Sequence, residues 1–355
     1  MQIGHAHFLL PAGVHSLREE PIRLSLKTLG LSLASIGLGL AGALVAAELL
    51  LPAIGYPQRA PLHSNEPTML EPHAIRGWRN KAARYEYPAY DIAGSPISMT
   101  ILSDGQRRTA PNPFLYAGLP KIVIVGGSFV QGWGISDADT FAWKLQARFG
   151  RYEIMNFGTA GYGTYQTLLL LEELLPKLSE VRLVIYAYYD DHDVRNVGSS
   201  GWLAALSRYR RRGHVQVPFV RLEDGRLHRY PPTRYQGLPW HQQSAVVGLL
   251  DDVLIRIRDR NVLPTAAEVT HRLIDQIHQQ TNRQNAQFAT VVLSASPDRR
   301  KSVSAFTAQA GISLFDCHID RTPEYRIAGE GHPNEKLNTL WGNCMTASIT
   351  KLLSR

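Results

Sequence analysis

The chain has 355 residues and a net charge of +8, with 38 Lys and Arg against 30 Asp and Glu. This length is sufficient for one large domain or two ordinary ones, and a hydrophobic content of 44% excludes a mostly disordered chain. Only two cysteines are present, which excludes a disulfide-rich scaffold and a Cys-rich zinc site. The positive charge alone does not indicate nucleic-acid binding, because net charge governs solubility and steering.

The first predicted element is a membrane-spanning helix. Residues 28–47 carry no charged side chain, and as a helix they would span about 30 Å, the thickness of the hydrocarbon core of a bilayer. Basic residues precede this stretch, and Arg59 is the first to follow it. The positive-inside rule therefore predicts a cytoplasmic tail over 1–27, a transmembrane anchor over 28–51 and an outward-facing body. A cleavable signal peptide is the alternative, although its apolar core would be shorter.

The rest of the chain divides into a lead and a main domain. Residues 57–118 are rich in proline and turn formers, and we expect an extended lead that packs on the main domain. Short apolar runs then alternate with helical patterns; the strand-like runs are 122–125, 154–157, 183–189, 288–294 and 312–315, and the helical ones 138–148, 165–178, 265–284 and the tail from Asn338. This alternation predicts an α/β domain over 119–355 with a mainly parallel sheet, and an arginine-rich insertion at about 197–245.

A serine follows the first of these strands. The strand ends in Gly126–Gly127–Ser128 and leads into a helix, and ligands of parallel α/β sheets bind at the carboxyl ends of strands. The turn matches neither a P-loop nor a dinucleotide-binding motif, and Val130 breaks the G-x-S-x-G pattern of α/β-hydrolases. Ser128 is thus a candidate nucleophile, and a helix N-cap is the alternative that local sequence favours.

Three further stretches accompany this serine. Residues 156–166 begin Asn-Phe-Gly at the end of the second strand, 190–193 read Asp-Asp-His-Asp after the third, and 330–334 read Glu-Gly-His-Pro-Asn. In this order and spacing the chain resembles the SGNH/GDSL hydrolases, specifically their membrane-anchored bacterial branch. The resemblance covers 119–355 and implies a three-layer α/β/α, flavodoxin-like parallel sheet that carries a serine hydrolase site.

The resemblance also implies a catalytic triad. Ser128 matches the nucleophile of the first block, although Gly127 replaces the aspartate of the usual Gly-Asp-Ser. His332 matches the general base of the last block. Position 329 is glycine, so Glu330 is the candidate carboxylate that orients the histidine. Two other carboxylates near the end of the sheet are alternatives, Asp316 and Asp320.

The oxyanion hole departs from the family pattern. The resemblance implies that the backbone N–H groups of Ser128 and Gly161 contribute two donors. The third donor in the family is an asparagine of a Gly-x-Asn-Asp block, where this chain has Asp190 and its neighbours. An ionised aspartate cannot donate a hydrogen bond, so His192 and Asn196 are the candidates for this position.

The expected function is that of a membrane-anchored, outward-facing serine esterase in a bacterial inner membrane, with its catalytic domain on the periplasmic side. Its substrate would be an acyl ester, with an acetylated envelope polysaccharide as the favoured class, and we expect no cofactor, no metal and no nucleic acid. An O-acyltransferase that uses the same site, and a catalytically weak SGNH-fold module that binds glycans or acts as a scaffold, are the alternatives.

Most of the net charge lies in one segment. Between Arg208 and Arg234 eight arginines stand against Glu223 and Asp224, a local charge of +6. We expect this segment either to face an anionic polymer or lipid, or to be merely solvated. Whether Cys317 and Cys344, the only two cysteines, are bridged is left open by the sequence.

Overall fold

The structure is a computed structural model, and it describes residues 26–54, 68–90, 94–208 and 215–354. The predicted tail over 1–27 lies almost entirely outside these residues. The chain forms two compact units, Met1–Pro57 and Gln58–Arg355.

The strands are β1 (Leu70–His73), β2 (Gly77–Asn80), β3 (Ala83–Tyr87), β4 (Ile97–Ile101), β5 (Lys121–Gly126), β6 (Glu153–Asn156), β7 (Val181–Tyr189), β8 (Val217–Glu223), β9 (Arg226–Thr233), β10 (Gln287–Ser294) and β11 (Ser313–Asp316). The α-helices are α1 (Leu26–Ala53), α2 (Ser128–Gln131), α3 (Phe141–Arg148), α4 (Thr164–Leu174), α5 (Asp191–Asn196), α6 (Ser200–Ser207), α7 (Ala245–Arg260), α8 (Ala266–Asn282), α9 (Pro297–Gln309) and α10 (Glu335–Leu353).

The first unit contains α1, which includes the whole predicted anchor. An 18-residue window within its residues Lys27–Ala53 has a mean hydropathy of 2.0, and among the described residues this is the one helix long and apolar enough to cross a membrane. Leucine side chains along it are largely exposed, as expected of a helix that is apolar on every side.

The second unit is built around a five-stranded sheet. Its strand order is β6-β5-β7-β10-β11, and every pairing is parallel. In chain order this is the 2-1-3-4-5 arrangement of flavodoxin-like folds, in which the strand order reverses between the first and third strands. The predicted fold class is confirmed. The reversal places the carboxyl ends of β5 and β7 side by side, where a crevice for ligands forms.

Helices cover both faces of this sheet. One face packs against α3 and α10 through a cluster that includes Phe141 and Trp341, and the other packs against α4, α8 and α9 through a cluster that includes Leu171 and Leu273. Successive residues of each strand enter opposite clusters because strand side chains alternate between faces. The strands are therefore apolar on both sides, which explains their continuous apolar runs in the sequence.

The segment predicted as an extended lead contains two antiparallel hairpins, β1–β2 and β3–β4. Trp78 of β2 donates its indole N–H to the carbonyl of Ala160 at 2.9 Å. Arg107, fully buried, donates to the carbonyls of Gln131 and Ile135, each at 2.6 Å. The lead thus supports the loops that follow β5 and β6 from outside the sheet.

The insertion contains more regular structure than the sequence indicates. It holds α6 and the hairpin β8–β9, and α7 follows it directly. Arg210, Arg211 and Arg212, near the start of the arginine-rich segment, lie outside the described residues.

The two cysteines form a disulfide. Cys317 follows β11 and Cys344 lies within α10, and their Cα atoms are 5.8 Å apart. The bridge closes a loop that contains both Glu330 and His332, so it restrains the segment on which these two residues lie.

Candidate active site

Ser128 is held at the start of a very short helix. It is the first residue of α2, directly after β5, and its side chain is 4% exposed. Its Oγ lies 2.9 Å from Nε2 of His332. The structure thus brings together two residues that the sequence separates by 204 positions.

His332 is oriented by Glu330. The Nδ1 of His332 lies 2.6 Å from Oε1 of Glu330, and the backbone N–H of His332 donates to Oε2 of the same carboxylate at 2.8 Å. The backbone N–H of Ile327 donates to the His332 carbonyl at 2.8 Å, which closes the turn around both residues. Because Nδ1 donates its hydrogen to the carboxylate, Nε2 is free to accept the proton of Ser128.

The carboxylate of Glu330 is ionised in this arrangement. Burial would raise its pKa, but hydrogen bonds from the ring and backbone of His332 and the attraction of a protonated imidazole outweigh burial, and the pKa of Glu330 lies below its ordinary value. The alternative carboxylates are engaged elsewhere. Asp316 pairs with Arg300 at 2.6 Å and Asp320 with His318 at 3.1 Å.

The two backbone N–H groups expected to contribute to the oxyanion hole are not hydrogen-bonded among the described residues. The N–H of Ser128 lies at a helix N-terminus, where intrahelical acceptors are lacking, and neither it nor the N–H of Gly161 has an acceptor among the described residues. Gly161 has a φ of +80°, and a Cβ there would lie 3.0 Å from the ring of Trp78. Both the conformation and the close aromatic neighbour favour glycine at this position.

His192 lies beside the serine turn. It is fully buried, and its Nε2 would be 3.0 Å from a Cβ placed on Gly127. Burial and the nearby charge of Arg195 lower the pKa of His192 well below its ordinary value, so the ring is neutral. Its Nδ1 is 2.6 Å from the hydroxyl of Tyr186, whereas Nε2 has no hydrogen-bond partner among the described residues.

A buried chain of hydrogen bonds determines which ring nitrogen of His192 carries the hydrogen. The backbone N–H of Tyr165 donates to Oδ1 of Asn196 at 3.0 Å, which fixes the orientation of that amide. The Asn196 Nδ2 donates to the hydroxyl of Thr164 at 2.9 Å, and the hydroxyls of Thr164 and Tyr186 are 2.6 Å apart.

Only one assignment of donors and acceptors along this series of hydrogen bonds gives every hydroxyl hydrogen an acceptor. Thr164 accepts from Asn196 and donates to Tyr186, and Tyr186 then donates to Nδ1 of His192. A neutral ring that accepts at Nδ1 carries its hydrogen on Nε2. We therefore assign an N–H donor to the nitrogen of His192 that lies beside Gly127.

Asn196, the other candidate for the third donor, is directed away from the serine. Its second amide hydrogen is donated to Thr270 at 2.8 Å, so both hydrogens are committed within the packing of α4, α5 and α8. The structure therefore gives Asn196 a supporting position behind His192.

Gly127 and His192 border the same space beside the serine turn. A side chain at position 127 would meet Nε2 of His192, the carbonyl of Tyr162 and the ring of Tyr189, all between 3.0 and 3.2 Å from its Cβ. An aspartate at this position would require these groups to move. The imidazole of His192 thus borders the space that the usual aspartate would enter.

Tyr189 and Arg195 complete the polar surroundings of the serine. Burial raises the pKa of the Tyr189 hydroxyl, and Arg195 and Ser128 lie near enough to oppose this shift. The guanidinium of Arg195 lies 5.0 Å from the Tyr189 ring centre and donates to the Tyr162 carbonyl at 3.0 Å. A fixed positive charge therefore stands close to the place where negative charge would develop.

The described residues contain no group of three or more His, Cys, Asp or Glu side chains placed to hold a metal ion. Asp193, next to His192, is occupied by Arg299 at 2.8 Å and by the hydroxyl of Thr270 at 2.7 Å.

Several supporting residues have no signal in the sequence. Trp78 and Arg107 lie in the lead, far from any motif, and contact the loops of the site only through tertiary packing. Tyr186 and Thr164 occupy ordinary strand and helix positions. Their polar role depends on strand register and helix packing, which a single sequence does not display.

Part of the arginine-rich segment is already paired. Arg229 donates to both carboxylate oxygens of Glu172, at 3.1 and 2.8 Å, and Arg221 lies over the ring of Phe219 at 5.1 Å. These two side chains contact the protein itself.

Solved structures similar to this chain include lipolytic proteins and esterases. A member of the lipolytic G-D-S-L family from Veillonella parvula is 11% identical, with 65% of this chain and 98% of that one covered and a TM-score of 0.39. The psychrotrophic esterase EstA from Pseudoalteromonas sp. is 14% identical, with 66% and 99% covered and a TM-score of 0.40. TesA is 13% identical, with 65% and 99% covered and a TM-score of 0.38. Comparisons with protein-family models and with curated proteins found no match.

Proposed function

We propose that the protein is a membrane-anchored, outward-facing serine esterase of the SGNH type. The observation that carries this proposal is the continuous hydrogen-bonded chain from Ser128 through His332 to Glu330, with distances of 2.9 and 2.6 Å. A nucleophile, a base within reach of it and a carboxylate that orients the base are the parts that acyl transfer requires. Gly127 occupies the N-cap position of α2, so the hydroxyl of Ser128 does not cap this helix.

The geometry supports the following first half-reaction. The Oγ of Ser128 attacks the ester carbonyl carbon while its proton passes to Nε2 of His332, and Glu330 stabilises the resulting imidazolium. The carbonyl oxygen becomes an oxyanion that accepts hydrogen bonds from the backbone N–H of Ser128 and of Gly161 and from Nε2–H of His192. The C–O bond of the leaving alcohol then breaks, and the alcohol takes the proton from His332.

The second half-reaction uses the same groups. Water attacks the acyl group on Ser128 while His332 removes a proton from it, and the bond to Oγ breaks as His332 returns a proton to the serine. The products are a carboxylic acid and the free enzyme. A neutral His192 suits this role because it donates a hydrogen bond throughout and does not exchange a proton with the reaction.

Two features support export of the body. α1 is long and apolar enough to act as an anchor, and the Cys317–Cys344 bridge is typical of an oxidising compartment outside the cytoplasm. We place the protein in a bacterial inner membrane, and an O-acetylated polysaccharide of the cell envelope is the substrate class that such a location favours.

Covalent labelling tests the site assignment. The full chain in detergent is treated with a fluorophosphonate probe, and hydrolysis of p-nitrophenyl acetate is measured in parallel. Labelling and hydrolysis are expected in the unmodified protein and in Ser304→Ala, an exposed serine on α9, and neither in Ser128→Ala. If the unmodified protein reacts with neither reagent, the proposal that it is a serine esterase is wrong. If activity survives in Ser128→Ala, the assignment of Ser128 as the nucleophile is wrong.

Release of acetate tests the substrate class. The active chain is incubated with O-acetylated and chemically deacetylated forms of the same polysaccharide, and free acetate is measured over time. Acetate is expected from the first form only, and its absence with an enzyme that cleaves p-nitrophenyl acetate would contradict the polysaccharide proposal alone.

A further inference from the structure

α7 has an apolar face that points to solvent. Leu250, Val253 and Ile257 are spaced along one side of the helix and are 53%, 46% and 60% exposed. Large aliphatic side chains on a surface helix normally face the core, and a contiguous exposed set marks an interaction surface. We call these three residues the outer face of α7.

The opposite side of α7 is the one that packs on the protein. Ile255 is buried there, and two buried carboxylates are fully engaged. Asp259 accepts from the backbone N–H of Ser200 at 2.6 Å, and Asp251 accepts from the hydroxyl of Tyr235 at 2.6 Å. The outer face therefore lies opposite the side by which α7 packs on the body.

Charge and aromatic character at the ends of α7 indicate what covers this face. Arg256 and Arg260 are exposed on the last two turns. Trp240, four residues before the N-cap Ser244, is 73% exposed. An apolar helix face with arginines near its C-terminal end and a tryptophan shortly before its N-terminus has the composition of helices that lie in the interface of a bilayer.

We propose that the outer face of α7 lies on the surface of an anionic phospholipid bilayer. The aliphatic side chains would enter the boundary between headgroups and acyl chains, and the arginines would contact the lipid phosphates, each favouring partition by about five-fold near an anionic surface. The inference rests in part on the proposed anchoring by α1, which keeps the body close to the membrane. A bilayer suits this face better than a protein partner, because the face is apolar along its length and cationic at its end.

Quenching by spin-labelled lipids tests the proposal on the full chain. Val253→Cys is labelled with a fluorophore without reductant, since both native cysteines are in the disulfide. The protein is reconstituted into phosphatidylcholine vesicles with and without phosphatidylglycerol, each containing a nitroxide lipid. Ser304→Cys on α9 carries the same fluorophore as the matched control.

We expect quenching at position 253 to exceed that at 304 by about two-fold or more in anionic vesicles, and by less in neutral ones. Adding Leu250→Glu and Ile257→Glu should reduce it to the control value, whereas Leu115→Glu, an exposed leucine outside α7, should leave it unchanged. Equal quenching at 253 and 304 in a chain that floats with the vesicles overturns the α7 proposal and leaves the anchor standing. Quenching unaffected by the two glutamates also overturns it, and a chain that does not float at all overturns both.

Discussion

The Nε2 of His192 lies 3.0 Å from the point at which residue 127 would carry a Cβ. Glycine precedes the nucleophile where the resembling family has aspartate, and the Asp-Asp-His of 190–192 follows the third strand where that family has its asparagine block. The two departures are in contact in the fold. We interpret them as one coupled change in which a buried imidazole takes over the donor position and requires a residue without a side chain beside it.

This coupling predicts the behaviour of Gly127→Asp. The added side chain would clash with His192 and place a negative charge beside the forming oxyanion, so kcat should fall about 10²-fold or more. Combining it with His192→Asn frees the space and supplies an amide donor, and kcat should recover about ten-fold relative to Gly127→Asp alone. Steady-state kinetics on p-nitrophenyl acetate measure both values. Full activity in Gly127→Asp would contradict the coupling.

Removing the imidazole should slow the chemical step. We expect His192→Ala to lower kcat by about 10²–10³-fold with little change in KM, because an oxyanion donor acts mainly in the transition state. Fluorophosphonate labelling of Ser128 should persist at a reduced rate, which distinguishes a lost donor from a lost nucleophile. A His192→Ala enzyme with unchanged kcat would exclude His192 from the oxyanion hole.

Substitution of two tyrosines tests whether the hydrogen bonds that reach His192 from Tyr186 matter for the rate. Tyr186→Phe removes the hydroxyl that donates to Nδ1 and should lower kcat about ten-fold, the value of one hydrogen bond. Tyr188→Phe removes a hydroxyl of the same strand that contacts Asp193, and we expect a smaller effect on kcat. The KM values of the two variants should be similar. A larger loss of kcat in Tyr188→Phe would contradict the assigned role of Tyr186.

Glu330→Gln should affect both rate and acid stability. The neutral amide orients His332 poorly and does not stabilise its cation, so kcat should fall by about 10²–10⁴-fold. Because the folded pKa of Glu330 is lowered, its contribution to stability is present above the unfolded pKa of about 4.3 and is lost as the pH falls through the folded pKa.

The melting-temperature difference between wild type and Glu330→Gln should therefore be constant from neutral pH to about pH 5 and shrink at lower pH. Glu324→Gln is the control, since this exposed carboxylate of the same segment pairs with Lys336 at 3.5 Å. A difference that grows on acidification would contradict the stated sign.

The disulfide should stabilise the segment that carries the base. Replacing Cys317 and Cys344 with serine opens the loop and should lower the free energy of unfolding by about 3 kcal/mol. Because Glu330 and His332 lie within this loop, kcat should also fall before global unfolding as temperature rises. Denaturant unfolding and activity measured over the same temperatures test both effects, and a double serine variant with unchanged unfolding would contradict the restraint.

The sequence by itself predicted a long apolar helix, the parallel α/β class and the grouping of Ser128, His332 and Glu330. These depend on local properties: an uncharged run of about 30 Å as a helix, alternating strand and helix periods, and motifs in a characteristic order. Parallel strands end at the same edge of a sheet, so motifs placed after strands predict a common site even without knowledge of the side-chain contacts.

Only the tertiary structure distinguishes the two candidates for the third donor. Asn196 and His192 were equal candidates in the sequence, and they differ because one amide is enclosed between helices while the imidazole borders Gly127. The pairing of the cysteines, the support of the site by Trp78 and the exposed side of α7 were also undetermined. Each depends on strand register, helix packing or long-range contact, and these follow from the free energy of the whole fold and not from any local pattern.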